Sequence, residues 1–109
     1  CGDPLGLGLG GPGYFFGPIE NAPADNFYPA GTIAMARAGG DAESMGSQFF
    51  LVYEDSVIPP DSAGGYTVFG EITDGLDDLI EAYVTPGTSD GSADGIPATV
   101  PIIENITIQ

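Results

Sequence analysis

The stretch SQFFLVY, residues 47–53, carries the strongest β-strand signal in the chain. It combines Phe, Tyr, Leu and Val with neither Gly nor Pro, a composition typical of strands. Because successive side chains of a strand point to opposite faces, Phe49 and Leu51 share one face and Phe50 lies on the other. Both faces are mainly apolar. We therefore expect Phe49 and Leu51 in a core, and Phe50 covered either by a second core layer or by a ligand.

Three other segments have strand character and one has helical character. The strand candidates are residues 32–38, 66–73 and 100–109, each of which places β-branched residues in an apolar run. Residues 74–84 carry apolar side chains at helical spacing, with Asp74 as the expected N-cap. The remaining segments are rich in Gly and Pro, which predicts loops. Short strands and one helix indicate a β-barrel with a helix against its end, although so few strands cannot close one.

The composition limits both the size of the fold and its chemistry. At 109 residues the chain has room for one domain, and 16 acids against one Arg give it a net charge of −15. This charge excludes nucleic acid as a partner, because nothing could neutralise phosphates. The chain has no His and no Lys, which excludes a Ser-His-Asp triad, a Schiff-base lysine and a His-based zinc site. We expect no metal and no cofactor, and an extracytoplasmic or cell-surface location rather than a cytoplasmic one.

Two patterns look like ligand sites by their letters alone. GLGLGG, residues 6–11, matches the dinucleotide pattern G-x-G-x-x-G, but Pro12 stands where the pattern needs a helix to begin. The loop with Asp90 and Asp94 resembles a calcium loop, but it lacks the Glu that closes an EF-hand. Both segments are predicted to be solvent-exposed turns.

Cys1 is the sole cysteine, so the chain has no internal disulfide. Two interpretations of this residue remain open on pattern alone. It could carry a lipid at a processed N-terminus, or it could lie inside a longer domain.

Four motifs, taken in order and spacing, resemble the cyclophilin family of peptidyl-prolyl cis-trans isomerases in its bacterial form. They are GDPLGLGLGGPGY (2–14), YPAGTIAMARAG (28–39), MGSQFFLVY (45–53) and YTVFGEITDGLD (66–77). The resemblance extends over residues 1–109. It implies a mostly β fold, a closed antiparallel eight-stranded barrel capped by helices, of which this chain supplies the later strands and one helix.

The resemblance also bears on what precedes the chain. Residues 1–109 would be a partial domain, with the N-terminal strands and the segment of the family's catalytic arginine upstream of Cys1. This favours the second interpretation of Cys1. Any membrane anchoring would then come only through residues outside this chain.

The activity that the resemblance implies is isomerisation of Xaa-Pro peptide bonds during protein folding. The partner would be a proline-containing polypeptide, bound in extended form in a cleft on the outer barrel face. An alternative is a cyclophilin-like binding or structural module with reduced or no activity. Such a module would work with other protein chains in a larger extracytoplasmic assembly.

The resemblance implies a substrate site with no catalytic residue in this chain. Its expected members are Ala36, Arg37, Ala38, Gln48, Phe50, Ile58 and Tyr66. Residues 36–38 would offer main-chain hydrogen bonds to the substrate, and Gln48 would orient it. Phe50 would form the floor of the proline pocket, with Ile58 and Tyr66 at its walls and rim.

Two residues depart from the family pattern. Arg37 and Met45 each replace the usual Asn. Two interpretations of the Arg37 side chain remain open: it lies beside the cleft and favours an acidic residue in the substrate, or it pairs with one of the chain's carboxylates. A surface pair of that kind would add only about 0–1 kcal/mol to stability.

Overall fold

The computed structural model describes residues 1–109 as a mostly β protein with one short helix. The chain has two compact units, Cys1–Thr73, which contains every strand, and Asp74–Gln109, which contains the helix. No helical segment has the length and the apolar character needed to cross a membrane. The assignment of all residues to one domain stays a prediction.

Five short strands build the first unit. They are β1 (Phe27–Tyr28), β2 (Thr32–Met35), β3 (Phe49–Leu51), β4 (Ser56–Val57) and β5 (Val68–Glu71). Strand β2 lies in the centre of an antiparallel sheet with β3 on one side and β5 on the other. Strands β1 and β4 form a separate antiparallel pair.

The helix lies in the second unit. It begins as α1 (Leu76–Leu79) and continues into a wider π-type turn, Ile80–Val84, so the helical prediction for residues 74–84 is confirmed. The predicted cap is wrong. Gly75, with a φ of 84°, occupies the N-cap position and no side chain caps the helix. A left-handed φ suits glycine, which has no Cβ to clash.

The three central strand predictions are confirmed, and three other segments differ from the prediction. Strands β2, β3 and β5 lie within the three central predicted segments. Strands β1 and β4 form in segments that are predicted to be loops, and they pair with each other. Residues 100–109 are predicted to form a strand, but they are exposed and unpaired. A strand needs a partner for its main-chain groups, and β propensity alone does not provide one.

The buried face of the three-stranded sheet is the one that carries Phe50. In β2, Ala34 lies opposite Phe50 and is completely buried. Val52, two residues after Phe50, is also buried and donates its N–H to the carbonyl of Thr32 at 2.9 Å. Directly opposed residues of antiparallel strands share a face. The sheet therefore packs its Ala34–Phe50 side inward.

The other face is partly open. Met35 opposes Phe49 and Ile33 opposes Leu51, and all four side chains are only half-buried. Phe69 packs edge-to-face on Phe49 with ring centroids 6.1 Å apart, yet 56% of Phe69 is exposed. The expectation that Phe49 and Leu51 lie in a core is therefore not met in this chain.

The closed eight-stranded barrel that the resemblance implies is not observed in this chain. The chain forms one three-stranded and one two-stranded sheet, and both are open. Closure of a barrel needs every strand paired on both sides. The sheet face with Phe49 and Phe69 therefore keeps part of its apolar surface exposed.

The Gly-rich N-terminal loop is organised around one carboxylate. Asp3 accepts backbone N–H groups from Leu5 at 2.8 Å, Leu7 at 2.8 Å and Gly8 at 2.5 Å. Partial burial acts to raise the pKa of Asp3, but these donors and the N–H of Gly10 outweigh it and lower the pKa. The loop that matches the dinucleotide pattern thus directs its N–H groups at the chain's own anion.

In the second unit, the acidic loop is a set of tight turns. Asp90 accepts the N–H of Ser92 at 3.0 Å and its hydroxyl at 2.6 Å, and these bonds lower the pKa of Asp90. The hydroxyl of Ser92 also donates to the carbonyl of Asp94 at 2.9 Å. Asp90 thus accepts local hydrogen bonds typical of an Asx turn.

Candidate functional site

A groove of about 800 Å³ lies between the Gly-rich loop and the segment that follows β2. Residues 8–13 and Phe15 line one part, and residues 36–38 with Gln48 line another. Asp41 and other residues of the loop before β3 complete the lining. The groove therefore brings together four of the predicted substrate residues: Ala36, Arg37, Ala38 and Gln48.

Gln48 connects the loop to the sheet. Its side-chain Nε2 donates to the carbonyl of Gly10 at 2.8 Å, and its main-chain carbonyl accepts the N–H of Ala36 at 3.0 Å. The amide plane of Gln48 is thereby fixed at the groove. Its Oε1 accepts no hydrogen bond within the chain, so it can accept one from a ligand.

The main chain of Arg37 is free at the edge of the groove. The neighbouring N–H groups are engaged, since Ala36 donates to Gln48 and Ala38 donates to the hydroxyl of Ser44 at 2.8 Å. No hydrogen bond within the chain occupies the N–H or the C=O of Arg37. An extended polypeptide bound here could pair with both groups, as a strand added to a sheet edge does.

The side chain of Arg37, in contrast, is fully engaged. Its guanidinium pairs with Asp61 through two parallel hydrogen bonds of 2.9 Å, and it donates to the carbonyls of Gly64 at 2.7 Å and Gly65 at 3.0 and 3.1 Å. A further bond of 3.1 Å reaches the carbonyl of Ala38. All five N–H donors of the guanidinium are thus used. Only 1% of the side chain is exposed, so it offers nothing to a ligand.

Of the two interpretations of the Arg37 side chain, the structure shows the ion pair. The pair is not the surface pair expected from sequence, because the arginine side is buried while Asp61 is 37% exposed. The two-point hydrogen bond from Arg37, aided by N–H groups of Gly40 and Ala63, holds the pKa of Asp61 well below its usual range. The hydrogen bond to Asp61 likewise raises the pKa of Arg37. Both groups are charged at any pH near neutrality.

A cluster of aromatic rings lies against the same guanidinium. The Cζ of Arg37 lies 4.7 Å from the ring centroid of Tyr66, within the range of a cation–π contact. Phe50 packs edge-to-face against Tyr66, with centroids 5.3 Å apart and an interplanar angle of 88°. Tyr28 packs on Tyr66 at 6.4 Å. Two of the predicted pocket residues, Phe50 and Tyr66, are therefore in contact.

Ile58 shares no hydrogen bond with the other predicted site residues. It follows β4, and its N–H donates to the carbonyl of Asn26 at 3.0 Å. Ile58, Phe50 and Tyr66 do not line the groove. The predicted site thus divides into the groove and the aromatic cluster, and Arg37 belongs to both.

Sequence reasoning missed two residues that shape this region. Asp61 is one of 16 acids, and nothing in its spacing marks it as the partner of the single Arg. Tyr28 is completely buried and accepts the N–H of Tyr66 at 2.9 Å, across 38 residues of sequence. The only available signal was that a lone cation among many acids will pair with one of them.

Met45, the second departure from the family pattern, has a packing role. It is 1% exposed, and its main chain exchanges hydrogen bonds of 2.8 and 3.2 Å with Phe16. An apolar side chain suits a site that excludes water, where an unpaired amide would be costly.

Comparisons with known proteins identify the family. A sequence profile described as "Cyclophilin type peptidyl-prolyl cis-trans isomerase/CLD" matches residues 10–107. The "Probable peptidyl-prolyl cis-trans isomerase B" of Mycobacterium tuberculosis is 44% identical over 120 aligned residues, which cover 100% of this chain and 37% of the relative. A protein of the same name from Mycobacterium leprae is 44% identical over an alignment that covers 100% of this chain and 38% of the relative.

A third relative is more distant. The "Peptidyl-prolyl cis-trans isomerase B" of Bacillus subtilis is 43% identical over 76 residues, which cover 70% of this chain and 49% of the relative. The chain thus spans less than half the length of these three relatives. No solved structure matches it significantly. From the profile match and the full-length similarity, the chain belongs to the cyclophilin-type peptidyl-prolyl cis-trans isomerase family.

Proposed function

We propose that this chain supplies the substrate-binding part of a peptidyl-prolyl cis-trans isomerase, and that its substrates are proline-containing polypeptides. Family membership and the names of the relatives support the activity. The observation that carries the proposal is the free main-chain edge of Arg37, which lies at the groove. An extended segment could bind there without any sequence-specific side-chain contact.

The reaction requires binding of the substrate and no covalent chemistry. Rotation about a peptide bond has a barrier of about 18–20 kcal/mol, because the twisted state loses amide resonance. Uncatalysed Xaa-Pro isomerisation takes on the order of tens to hundreds of seconds. An enzyme accelerates it by binding the twisted amide more tightly than either planar form. A chain without His or Lys can take part in such catalysis.

Each site residue has a role in this proposal. The N–H and C=O of Arg37 would hold the backbone before the proline, with Ala36 and Ala38 placing that edge. The free Oε1 of Gln48 would accept a hydrogen bond that orients the substrate. The ring of Phe50, which packs against Tyr66, would contact the proline ring.

The donor that stabilises the twisted amide is proposed to come from outside these residues. Arg37 is the only Arg of the chain, and all five of its N–H donors are engaged. It cannot donate to a substrate without breaking its bonds to Asp61 and to the following loop. An arginine upstream of Cys1 would supply the missing donor.

The closed barrel is also a proposal. We propose that β2, β3 and β5 belong to a closed antiparallel eight-stranded barrel, whose remaining strands are not formed by these residues. The half-buried apolar face with Phe49 and Phe69 supports this proposal, because an inward-facing layer of a barrel has that composition.

The test uses the complete protein that contains this chain, in an assay of prolyl isomerisation on a short proline peptide. The proposal expects acceleration over the uncatalysed rate, and a loss of at least about tenfold in kcat/KM for Phe50→Ala. Phe27→Ala removes an exposed ring in β1 that does not line the groove, so it is the control and should retain activity. A complete, folded protein with no measurable acceleration would instead favour the binding module.

A further inference from the structure

We propose that Arg37 is a positioning residue, which fixes Tyr66 against Phe50 and thereby sets the shape of the proline pocket. The inference rests on the proposed function and adds a role for a side chain that departs from the family pattern. It follows from three features of the structure: how the guanidinium is held, what its face contacts, and how little of it is exposed.

The guanidinium ties the end of β2 to the loop before β5. It binds Asp61 with two hydrogen bonds of 2.9 Å and the carbonyls of Gly64 and Gly65 at 2.7 and 3.0 Å. Asp61 also accepts the N–H of Ala63 at 2.9 Å, within the same loop. A planar, two-point pair of this kind fixes orientation as well as distance. The loop that leads into Tyr66 is therefore held at several points.

The face of the guanidinium is in contact with Tyr66. The Cζ of Arg37 lies 4.7 Å from the ring centroid of Tyr66, and the main-chain N–H of Tyr66 donates to the hydroxyl of Tyr28. The Tyr66 ring also packs on Phe50, with ring centroids 5.3 Å apart and an interplanar angle of 88°. Tyr66 thus contacts both Arg37 and Phe50, so a change at Arg37 can reach Phe50 through the Tyr66 ring.

Direct contact between Arg37 and a substrate charge does not fit the geometry. The side chain is 1% exposed, and no N–H donor remains free. Its charge is also balanced by Asp61 at 2.9 Å. The side chain can therefore act on the substrate only through Tyr66 and the loop of residues 61–65. A lysine would retain the charge but neither the fork of donors nor the flat face.

The experiment compares Arg37→Lys, Arg37→Asn and wild type in the complete protein. Initial rates give KM and kcat for a proline peptide, and aromatic NMR signals report the ring environment of Tyr66. We expect KM to rise severalfold in both variants, kcat to change less, and the Tyr66 ring signals to shift. Asp61→Asn, which keeps the arginine face on Tyr66, should give a smaller rise in KM. Unfolding is measured in parallel, so a global loss of structure is recognised.

The matched control is Asp55→Asn. Asp55 accepts the N–H of Ala30 at 2.9 Å and holds a different turn, so its variant should leave KM and the Tyr66 signals unchanged. If Arg37→Asn fails to fold, the KM and the Tyr66 signals of Arg37→Lys alone test the inference. An active wild type, with wild-type KM and unshifted Tyr66 signals in Arg37→Lys, overturns the inference. An inactive wild type overturns the proposed function instead, and the ring signals then still show whether Arg37 orients Tyr66.

Discussion

The hydroxyl oxygen of Tyr28 accepts the backbone N–H of Tyr66 at 2.9 Å. Tyr28 is completely buried and ends β1, while Tyr66 lies two residues before β5. One hydrogen bond therefore links the two-stranded sheet to the three-stranded sheet at the point where the aromatic cluster forms. The ring of Tyr28 also packs edge-on against that of Tyr66, so the same residue aligns both the main chain and the side chain.

Tyr28→Phe should destabilise the protein by about 1 kcal/mol, because it leaves the partly buried N–H of Tyr66 without its acceptor while the ring packing stays. The midpoint of urea unfolding, measured on the complete protein, gives the change. Tyr53→Phe is the control, since Tyr53 is 43% exposed and should lose little. Equal midpoints for Tyr28→Phe and wild type would mean that water replaces the lost hydroxyl at this site.

Gly65→Ala should also destabilise the protein, by steric contact. A Cβ at Gly65 would lie 2.9 Å from the hydroxyl oxygen of Tyr28 and 3.1 Å from the Cβ of Ala22. The buried Tyr28 ring has no space to retreat, and overpacking of this kind costs about 1–3 kcal/mol. Gly11→Ala is the matched control, because nothing lies within 4 Å of a Cβ there. Thermal unfolding should give a clearly lower Tm for Gly65→Ala than for Gly11→Ala.

Acid should weaken the Arg37–Asp61 pair in a predictable pH window. The pKa of Asp61 is lowered from a usual value of 3.8, first by the Arg37 hydrogen bond and then by backbone N–H groups. A depressed pKa contributes stability that is present above the unfolded value and lost as pH falls through the folded one. The stability gap between wild type and Asp61→Asn should therefore be full at neutral pH and shrink below about pH 4.

Urea unfolding at neutral and acid pH measures that gap. Glu54→Gln serves as control, because the Glu54 side chain is exposed and accepts no hydrogen bond. The stability of Glu54→Gln should differ little from that of wild type at either pH. A gap for Asp61→Asn that is independent of pH would show that the carboxylate contributes through shape rather than through charge.

The strand patterns of the central segments were enough to predict a mostly β chain, but not how its strands are arranged in sheets. Residues 47–53 and 66–73 show strand character, and β3 and β5 form within them. The face of Phe50 was left open between a core layer and a ligand, and the structure shows it opposite the buried Ala34. Local alternation predicts which residues share a face, but the layer that covers the face is a tertiary property.

The contacts that build the site could not be predicted, because they join residues distant in sequence. Arg37 and Asp61 are 24 residues apart, and Tyr28 and Tyr66 are 38 apart. Each pair depends on the path of an irregular loop, and an irregular loop has no periodic sequence pattern from which its path could be predicted. The failure over residues 100–109 has the same origin, since strand propensity was present and a pairing partner was not.

The loop around Asp3 should lose its order when the carboxylate is removed. Asp3→Ala leaves the N–H groups of Leu5, Leu7 and Gly8 without their acceptor. Amide hydrogen exchange at these positions should speed up by roughly tenfold, the equivalent of one hydrogen bond of ordinary strength. Asp74→Ala, an exposed acid in the second unit, should leave those three rates unchanged. Unchanged rates in Asp3→Ala would show that the glycines alone hold the loop.

The partly open sheet face gives the last prediction. Leu51 lies on that face and is half-buried in this chain, whereas closure of the proposed barrel would bury it fully. Leu51→Ala should therefore cost about 2–5 kcal/mol in the complete protein, as for a core leucine, and clearly less in the isolated chain of 109 residues. Leu7→Ala, at a loop position that is 72% exposed, should cost little in either. The isolated chain should also bind an apolar dye that the complete protein does not. Equal costs for Leu51→Ala in the two proteins, with no dye bound by either, would contradict closure of the barrel over this face.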